Sequence, residues 1–257
     1  MRSLIVATSL CAACLVLGAQ PGTVRGDETP VASQHDRTRE PALAPTSDVP
    51  LLAYKPPARG APTRRRAAGT RGGAMQLPLV CVLAPDHVGL TIQSQPRLYW
   101  YLSQVVTEPV EFTLNDERHI PPRVEVRLAS QMKPGIQEIR LADHGVRLDP
   151  NVEYEWSIAI IPDPNQRSKD IVSSGWIERI PVPQDLSANL AGVGKAGTPS
   201  FYAAAGIWYD ALGVLSELIA ETPDDPRPRL QRAALLDQVG LADAASAERA
   251  LIGTEPR

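Results

Sequence analysis

The hydrophobic period of this 257-residue chain changes partway along it, from two residues before about Ile180 to between three and four after Ser200. A period of two lines apolar side chains on one face of a strand, and a period near 3.6 lines them on one face of a helix. No single kind of element satisfies both, so a sheet-forming part must precede a helix-forming part. Leu98, Trp100 and Leu102 alternate, as do Val110, Phe112 and Leu114, with Glu111, Thr113 and Asn115 on the opposite face. Val124, Val126 and Leu128 repeat the pattern. Tyr154, Trp156, Ile158 and Ile160 form the longest alternating face, and Ile171 to Ile180 adds a further extended run. Pro121-Pro122, Lys133-Pro134-Gly135 and Asp149-Pro150-Asn151 break these runs, as expected for short antiparallel strands with one buried face.

Beyond the Gly- and Pro-containing stretch from Pro181 to Pro199, Ala204, Trp208, Ala211, Leu212, Leu215, Leu218 and Ile219 fall on one face of a helix ending before Pro223. This stripe turns Trp208 to the core and Asp210 outward. Leu230, Ala233, Leu236 and Val239 mark a second helix from about Pro228, closed by Gly240, and a third runs from about Asp243 to Leu251. The expected fold class is α+β: an antiparallel β-sandwich, immunoglobulin- or fibronectin-like, over residues 75–182, a linker over 183–200, and a tetratricopeptide-like helical tail over 201–254 packed on the sandwich. The order Leu148-x-Pro150-x-x-x-Tyr154 suits a tyrosine whose hydroxyl returns to the backbone of the preceding corner.

The start of the chain bears on compartment. Met1-Arg2 precede an uncharged apolar run from Leu4 to Leu17, the length of a secretory signal core, interrupted by Gly18, Gln20 and Pro21 before it could span a membrane. A signal peptide over residues 1–19 is expected, with export to a periplasm or the extracellular space; modification of Cys14 as a lipoprotein cysteine is the alternative. From Gln20 to about Ala74, Pro, Arg, Thr, Ala and Gly dominate without either period, which predicts a disordered stalk. Cleavage would leave Cys81 as the remaining cysteine, so stability must come from a core and not an internal disulfide. Twenty-six basic against 29 acidic side chains argue against nucleic acid as the main partner, and no transmembrane span is expected after cleavage.

Gly69-Thr70-Arg71-Gly72-Gly73, Asp163-Pro164-Asn165-Gln166-Arg167-Ser168 with Gly175-Trp176-Ile177-Glu178-Arg179, and Gly206-Ile207-Trp208-Tyr209-Asp210-Ala211-Leu212 occur in that order. Together they resemble domain-of-unknown-function family 928, exported proteins best known from cyanobacteria. The resemblance runs from about Gly69 to Leu241 and implies an exported protein without an assigned catalytic residue. Cysteines that the family often carries after Arg-Gly-Gly and before Asp-Pro are here Ala74 and Pro162, so it implies no bridge in this chain.

The four histidines, His35, His87, His119 and His144, lack metal-site spacing, and no nucleophile-elbow, zincin or phosphate-loop motif occurs. No cofactor and no metal site are expected, and no enzyme activity. The polar turn Asp163 to Asp170 offers oxygens from Asp163, Asn165 and Asp170 but lacks a calcium loop's carboxylate run, which favours a turn held by an Arg167 to Asp170 pair. Arg167, Asp170 and Trp176 are the candidates for a partner-binding rim, because Arg and Trp anchor interfaces. Tyr99 and Tyr101, on the face opposite Leu98 and Trp100, are the candidates for glycan binding. The functional expectation is a non-enzymatic cell-envelope interaction module with an envelope or extracellular protein partner; a carbohydrate- or polymer-binding module, and then a hydrolase with a convergent site, are the alternatives.

Overall fold

The computed structural model describes residues 52–57, 65, 78–128 and 131–252. The signal peptide, the lipoprotein alternative at Cys14 and most of the expected stalk lie outside the described residues. The fold is mixed α/β; among the described residues it has a three-stranded sheet, a five-stranded sheet and five α-helices, and neither sheet closes into a barrel.

Strands β1 (Val80–Val82), β2 (Gly89–Thr91), β3 (Arg97–Leu102), β4 (Val110–Asp116), β5 (Val124–Arg127), β6 (Gly135–Arg140), β7 (Glu153–Ile160) and β8 (Ile171–Arg179) follow in chain order. The small sheet is ordered β1-β3-β6 and the large one β2-β8-β7-β4-β5. Every alternating run read from the sequence lies on a strand. β1, β2 and β6 carry patterns too short or too polar to announce themselves, Gly-Ile-Gln-Glu-Ile-Arg in β6 being the example. The expected all-antiparallel arrangement needs one correction: β2 runs parallel to β8, Leu90 opposite Glu178. A β-bridge needs only matching backbone direction over a few residues, and the three-residue β2 enters from a loop instead of a hairpin.

The two sheets meet where β1 lies against β8. The Val82 amide donates to the Ser173 hydroxyl at 3.0 Å. A Cβ on Gly175 would stand 2.5 Å from the Ala84 methyl, so only glycine admits this approach. Trp100, Phe112, Leu114, Tyr154, Trp156 and Ile158 fill the core. Tyr154 Oη accepts from the backbone amide of Asp149 at 3.0 Å, the return to the corner that the sequence suggested.

The helices are α1 (Gln184–Leu190), α2 (Thr198–Ala204), α3 (Trp208–Glu221), α4 (Pro226–Gln238) and α5 (Ala242–Ala250). The expected linker over 183–200 therefore contains all of α1 and the start of α2. The single helix expected through Ala204 and Trp208 is two helices, broken at Gly206, whose φ of +75° no L side chain adopts comfortably. α4 begins at Pro226 because Asp225 caps it, accepting from the Arg227 amide at 3.0 Å. α3 packs on β2 and β3, and α5 reaches β6. No helix among the described residues is long and apolar enough to cross a membrane.

The stalk expectation is corrected where the chain is described. Leu52 and Tyr54 are buried, and Arg65 donates to the carbonyls of Ala84 and Val239 at 3.0 and 2.9 Å. Leu52 and Tyr54 stand in a Pro-rich stretch without period, so a composition argument averages them away.

Candidate functional site

Three hydrogen bonds set the angle at which α3 enters the sheets. Trp208 Nε1 donates to the Leu83 carbonyl at 2.9 Å. Tyr209 Oη accepts from Trp156 Nε1 at 2.9 Å and donates to the Trp176 carbonyl at 2.9 Å. Buried Trp and Tyr are costly unless their polar ends find partners; here Trp156 and Tyr209 supply each other, and Trp208 takes a backbone carbonyl. Burial pushes the Tyr209 hydroxyl far above its ordinary range, so it stays protonated.

The next residue in the helix, Asp210, consequently faces the segment that follows β2. Its Oδ2 accepts from the Ile92 amide at 3.2 Å, while Oδ1 has no hydrogen-bond partner among the described residues. Burial raises the carboxyl to about 6, against the opposing pull of the Thr91 hydroxyl, the Ile92 amide and the Gln93 side chain. This corrects the outward orientation expected of Asp210. Helical period places it off the apolar stripe, but the first turn of α3 packs against β2 and the residues that follow it, which cover Asp210.

A cleft of about 320 Å³ opens here, with Asp210 in its wall. Gln93, Gln95 and Arg97 line one side, and Tyr202 from α2 with Gly213 and Glu217 from α3 line the other. The rim charges are mutually satisfied: Arg97 lies 3.3 Å from Glu217 and 3.4 Å from Glu138, and Lys195 lies 2.8 Å from Glu217. A Cβ on Gly213 would meet nothing within 4 Å, so glycine at this mid-helix position leaves space in the cleft that any side chain would take. Amides, a phenol and a balanced ion pair around a protonatable acid suit a neutral, hydrogen-bonding ligand.

The residues singled out from the sequence are placed elsewhere. Arg167 Nε donates to Asp170 at 2.6 Å, the expected pair, and Arg167 Nη2 also reaches Glu111 at 2.9 Å from β4. Trp176 stands level with Glu155, whereas Glu111 is level with Ala159 and Val172. Four residues of strand, on the order of 13 Å, separate these rows. Arg167 and Asp170 therefore form one cluster, which Trp176 does not join. Asp163 accepts from the Asn165 amide at 2.9 Å and from Gln166 at 2.6 Å, and so braces its own turn. Among the described residues no group of three or more His, Cys, Asp or Glu side chains is placed to hold a metal.

Of the two glycan candidates, Tyr99 requires correction. Tyr99 is 2% exposed and Tyr101 is only partly exposed and packed against the core. Alternation reveals that Tyr99 and Trp100 point to opposite faces, but it cannot reveal that both faces are covered, one by the second sheet and the other by helices. The cleft residues escaped sequence reasoning for a related reason: they come from three separate segments, residues 93–97, Tyr202 on α2 and Asp210 on α3. The one sequence signal was the Gly206 to Leu212 motif, which contains Asp210.

No curated protein matches the chain. The family described as Domain of Unknown Function (DUF928) matches residues 62–249, which include the whole cleft and both sheets. The chain is a member of that family.

Proposed function

We propose that this chain is a non-enzymatic interaction module, exported to the cell envelope, whose recognition site is the cleft between residues 93–97 and α3. The observation that carries this reading is the cleft itself: polar groups from separate segments converge on a space that Gly213 leaves open. The sandwich architecture is supported by the contact of β1 with β8 and by the Tyr154 corner bond, although the parallel β2 departs from the immunoglobulin pattern. The tetratricopeptide-like reading is supported by the α3, α4 and α5 succession, with Asp225 and Gly240 at the turns. The partner is an envelope or extracellular protein that inserts a hydrogen-bonding side chain or chain end.

The lining also favours a second reading, a carbohydrate or polymer ligand, because amides and a phenol serve hydroxyl groups as readily as peptide. A convergent hydrolase draws least support. Of the two carboxylates in the cleft, Glu217 is held by both Arg97 and Lys195, which leaves Asp210 without a free acid-base companion.

Affinity capture from a crosslinked envelope fraction tests the proposal, with the wild-type chain beside Gly213→Leu and Arg167→Ala. One specific protein should be retained by wild type and by Arg167→Ala and lost with Gly213→Leu, whose melting temperature stays at or above the wild-type value. Retention of glycan in the same pattern selects the polymer reading. Equal capture by wild type and Gly213→Leu overturns the cleft as the recognition site.

A further inference from the structure

Residues 52–57 form an extended strap that is bound chiefly through its backbone. The Gln238 side chain clamps it from both sides: Nε2 donates to the Leu52 carbonyl at 2.7 Å and Oε1 accepts from the Tyr54 amide at 2.8 Å. One amide thereby reads the C=O of one residue and the N–H of the residue two further on, a spacing that only an extended segment presents. The Lys55 amide donates to the Ala203 carbonyl at 3.0 Å. Beneath it, a Cβ on Gly206 would lie 2.8 Å from the Lys55 carbonyl oxygen, so glycine at the α2–α3 turn keeps the channel wide enough for a peptide backbone.

Side-chain selection is added at one point. Tyr54 is buried, lies edge-on to Trp208 with ring centroids 5.1 Å apart, and stacks beside His87 at 5.9 Å. Its hydroxyl shares a 2.9 Å hydrogen bond with His87 Nε2, and His87 Nδ1 faces Asp86 at 3.1 Å. An aromatic slot with a polar end, flanked by backbone-directed bonds, is how proteins recognise extended peptides. Pro56-Pro57 then hold the exit extended, at little ordering cost.

None of these bonds depends on the strap belonging to the same molecule. The strap is joined through residues 58–64 to Arg65, itself held on the Ala84 and Val239 carbonyls; covalent geometry allows that connection to span at most on the order of 25 Å, enough to reach the groove of a copy packed alongside. We propose that this groove is a peptide-docking site, filled within one molecule by its own Leu52–Pro57, and that the segment it takes from outside is Leu52–Pro57 of a second copy, so that strap exchange links copies of the chain. In a single molecule the attached strap competes at high effective concentration, so exchange grows with protein concentration and with any weakening of the internal contact. The groove is separate from the cleft, and neither proposal rests on the other.

Two full-length variants test it in combination. Gln238→Ala keeps an intact strap and loses the clamp; Tyr54→Ala keeps the clamp and loses the anchor. Mixed at tens of micromolar and read by native mass spectrometry and sedimentation, they should form a one-to-one heterodimer at least five-fold above either homodimer, because only the mixture contains an intact strap facing an intact groove. No excess of heterodimer over homodimer overturns strap exchange. If either variant fails to fold, thermal shift decides, read on Tyr54→Ala or, where that is the variant that fails, on Tyr54→Phe, both of which keep the Gln238 clamp: a synthetic peptide of residues 50–58 should raise the melting temperature, and the same peptide with Ala in place of Tyr54 should not. An equal response to both peptides, or none to either, shows that the groove does not read the segment in trans.

Discussion

Asp210 is the residue where burial and chemistry are most tightly joined. Its carboxyl titrates at about 6 in the folded chain, above the ordinary carboxylate value, because enclosure penalises the charged form more than Ile92, Thr91 and Gln93 relieve it. A folded pKa above the unfolded one means the native state holds the proton more tightly. Stability is therefore greatest below the unfolded value, falls as pH rises through about 6, and remains lower above it. A shift of this size corresponds to about 2–3 kcal/mol. Asp210→Asn keeps an acceptor for the Ile92 amide and cannot ionise. Its unfolding free energy from urea titration should gain on wild type by that amount between pH 4 and pH 8, and a constant gap across the range would show that Asp210 does not titrate with folding. At Gly213 the same local logic runs through propensity: Ala there should raise stability by about 0.5–1 kcal/mol, since mid-helix glycine carries an entropic penalty and the added methyl meets no atom.

Among elements, α4 and α5 are joined by a charge pair taken almost wholly out of water. Arg232 Nε and Nη2 reach Glu248 at 2.9 and 2.6 Å, and Nη1 donates to Ser216 on α3 at 2.9 Å, so one guanidinium ties three helices. Burial lowers the Arg232 pKa against the raising effect of Glu248, the sign of a desolvated pair. Removing one partner leaves a buried charge, whereas removing both leaves apolar volume. Arg232→Met should cost about 3–5 kcal/mol in chemical denaturation, and Arg232→Met with Glu248→Leu should recover most of it; an equal loss in the double variant would assign the energy to packing instead. The sequence held no sign of this pair. The two residues stand on different helices, and only the α4–α5 turn brings them together. The strands were legible because period two is a local property, as the Val110 to Leu114 run illustrates. The α2–α3 break was not, since Ala204 and Trp208 fit one helical stripe, and the need for glycine at 206 comes from its positive φ and from the Lys55 carbonyl 2.8 Å from where a Cβ would stand.

At the scale of the molecule the helices act as the second cover of the small sheet. β3 sends Leu98 and Trp100 toward the large sheet and Tyr99 toward the helical side, and all three are buried. A chain ending before Thr198 would uncover Tyr99 and the Leu83, Trp156 and Trp176 groups that Trp208 and Tyr209 satisfy. Such a truncation should lose its near-ultraviolet circular dichroism and its single calorimetric transition; retention of both would mean that the sheets are stable alone. By itself the sequence determined family membership, the succession of strands before helices, the apolar face of each long strand and the Arg167 to Asp170 pairing, because each depends on residues close in the chain. Tertiary structure decided that β2 runs parallel to β8, that Tyr99 is covered, that Leu52 and Tyr54 are packed, and that Asp210 borders a cleft. Those outcomes depend on which surfaces meet, and burial and pKa are set by neighbours distant in sequence, which no local period encodes.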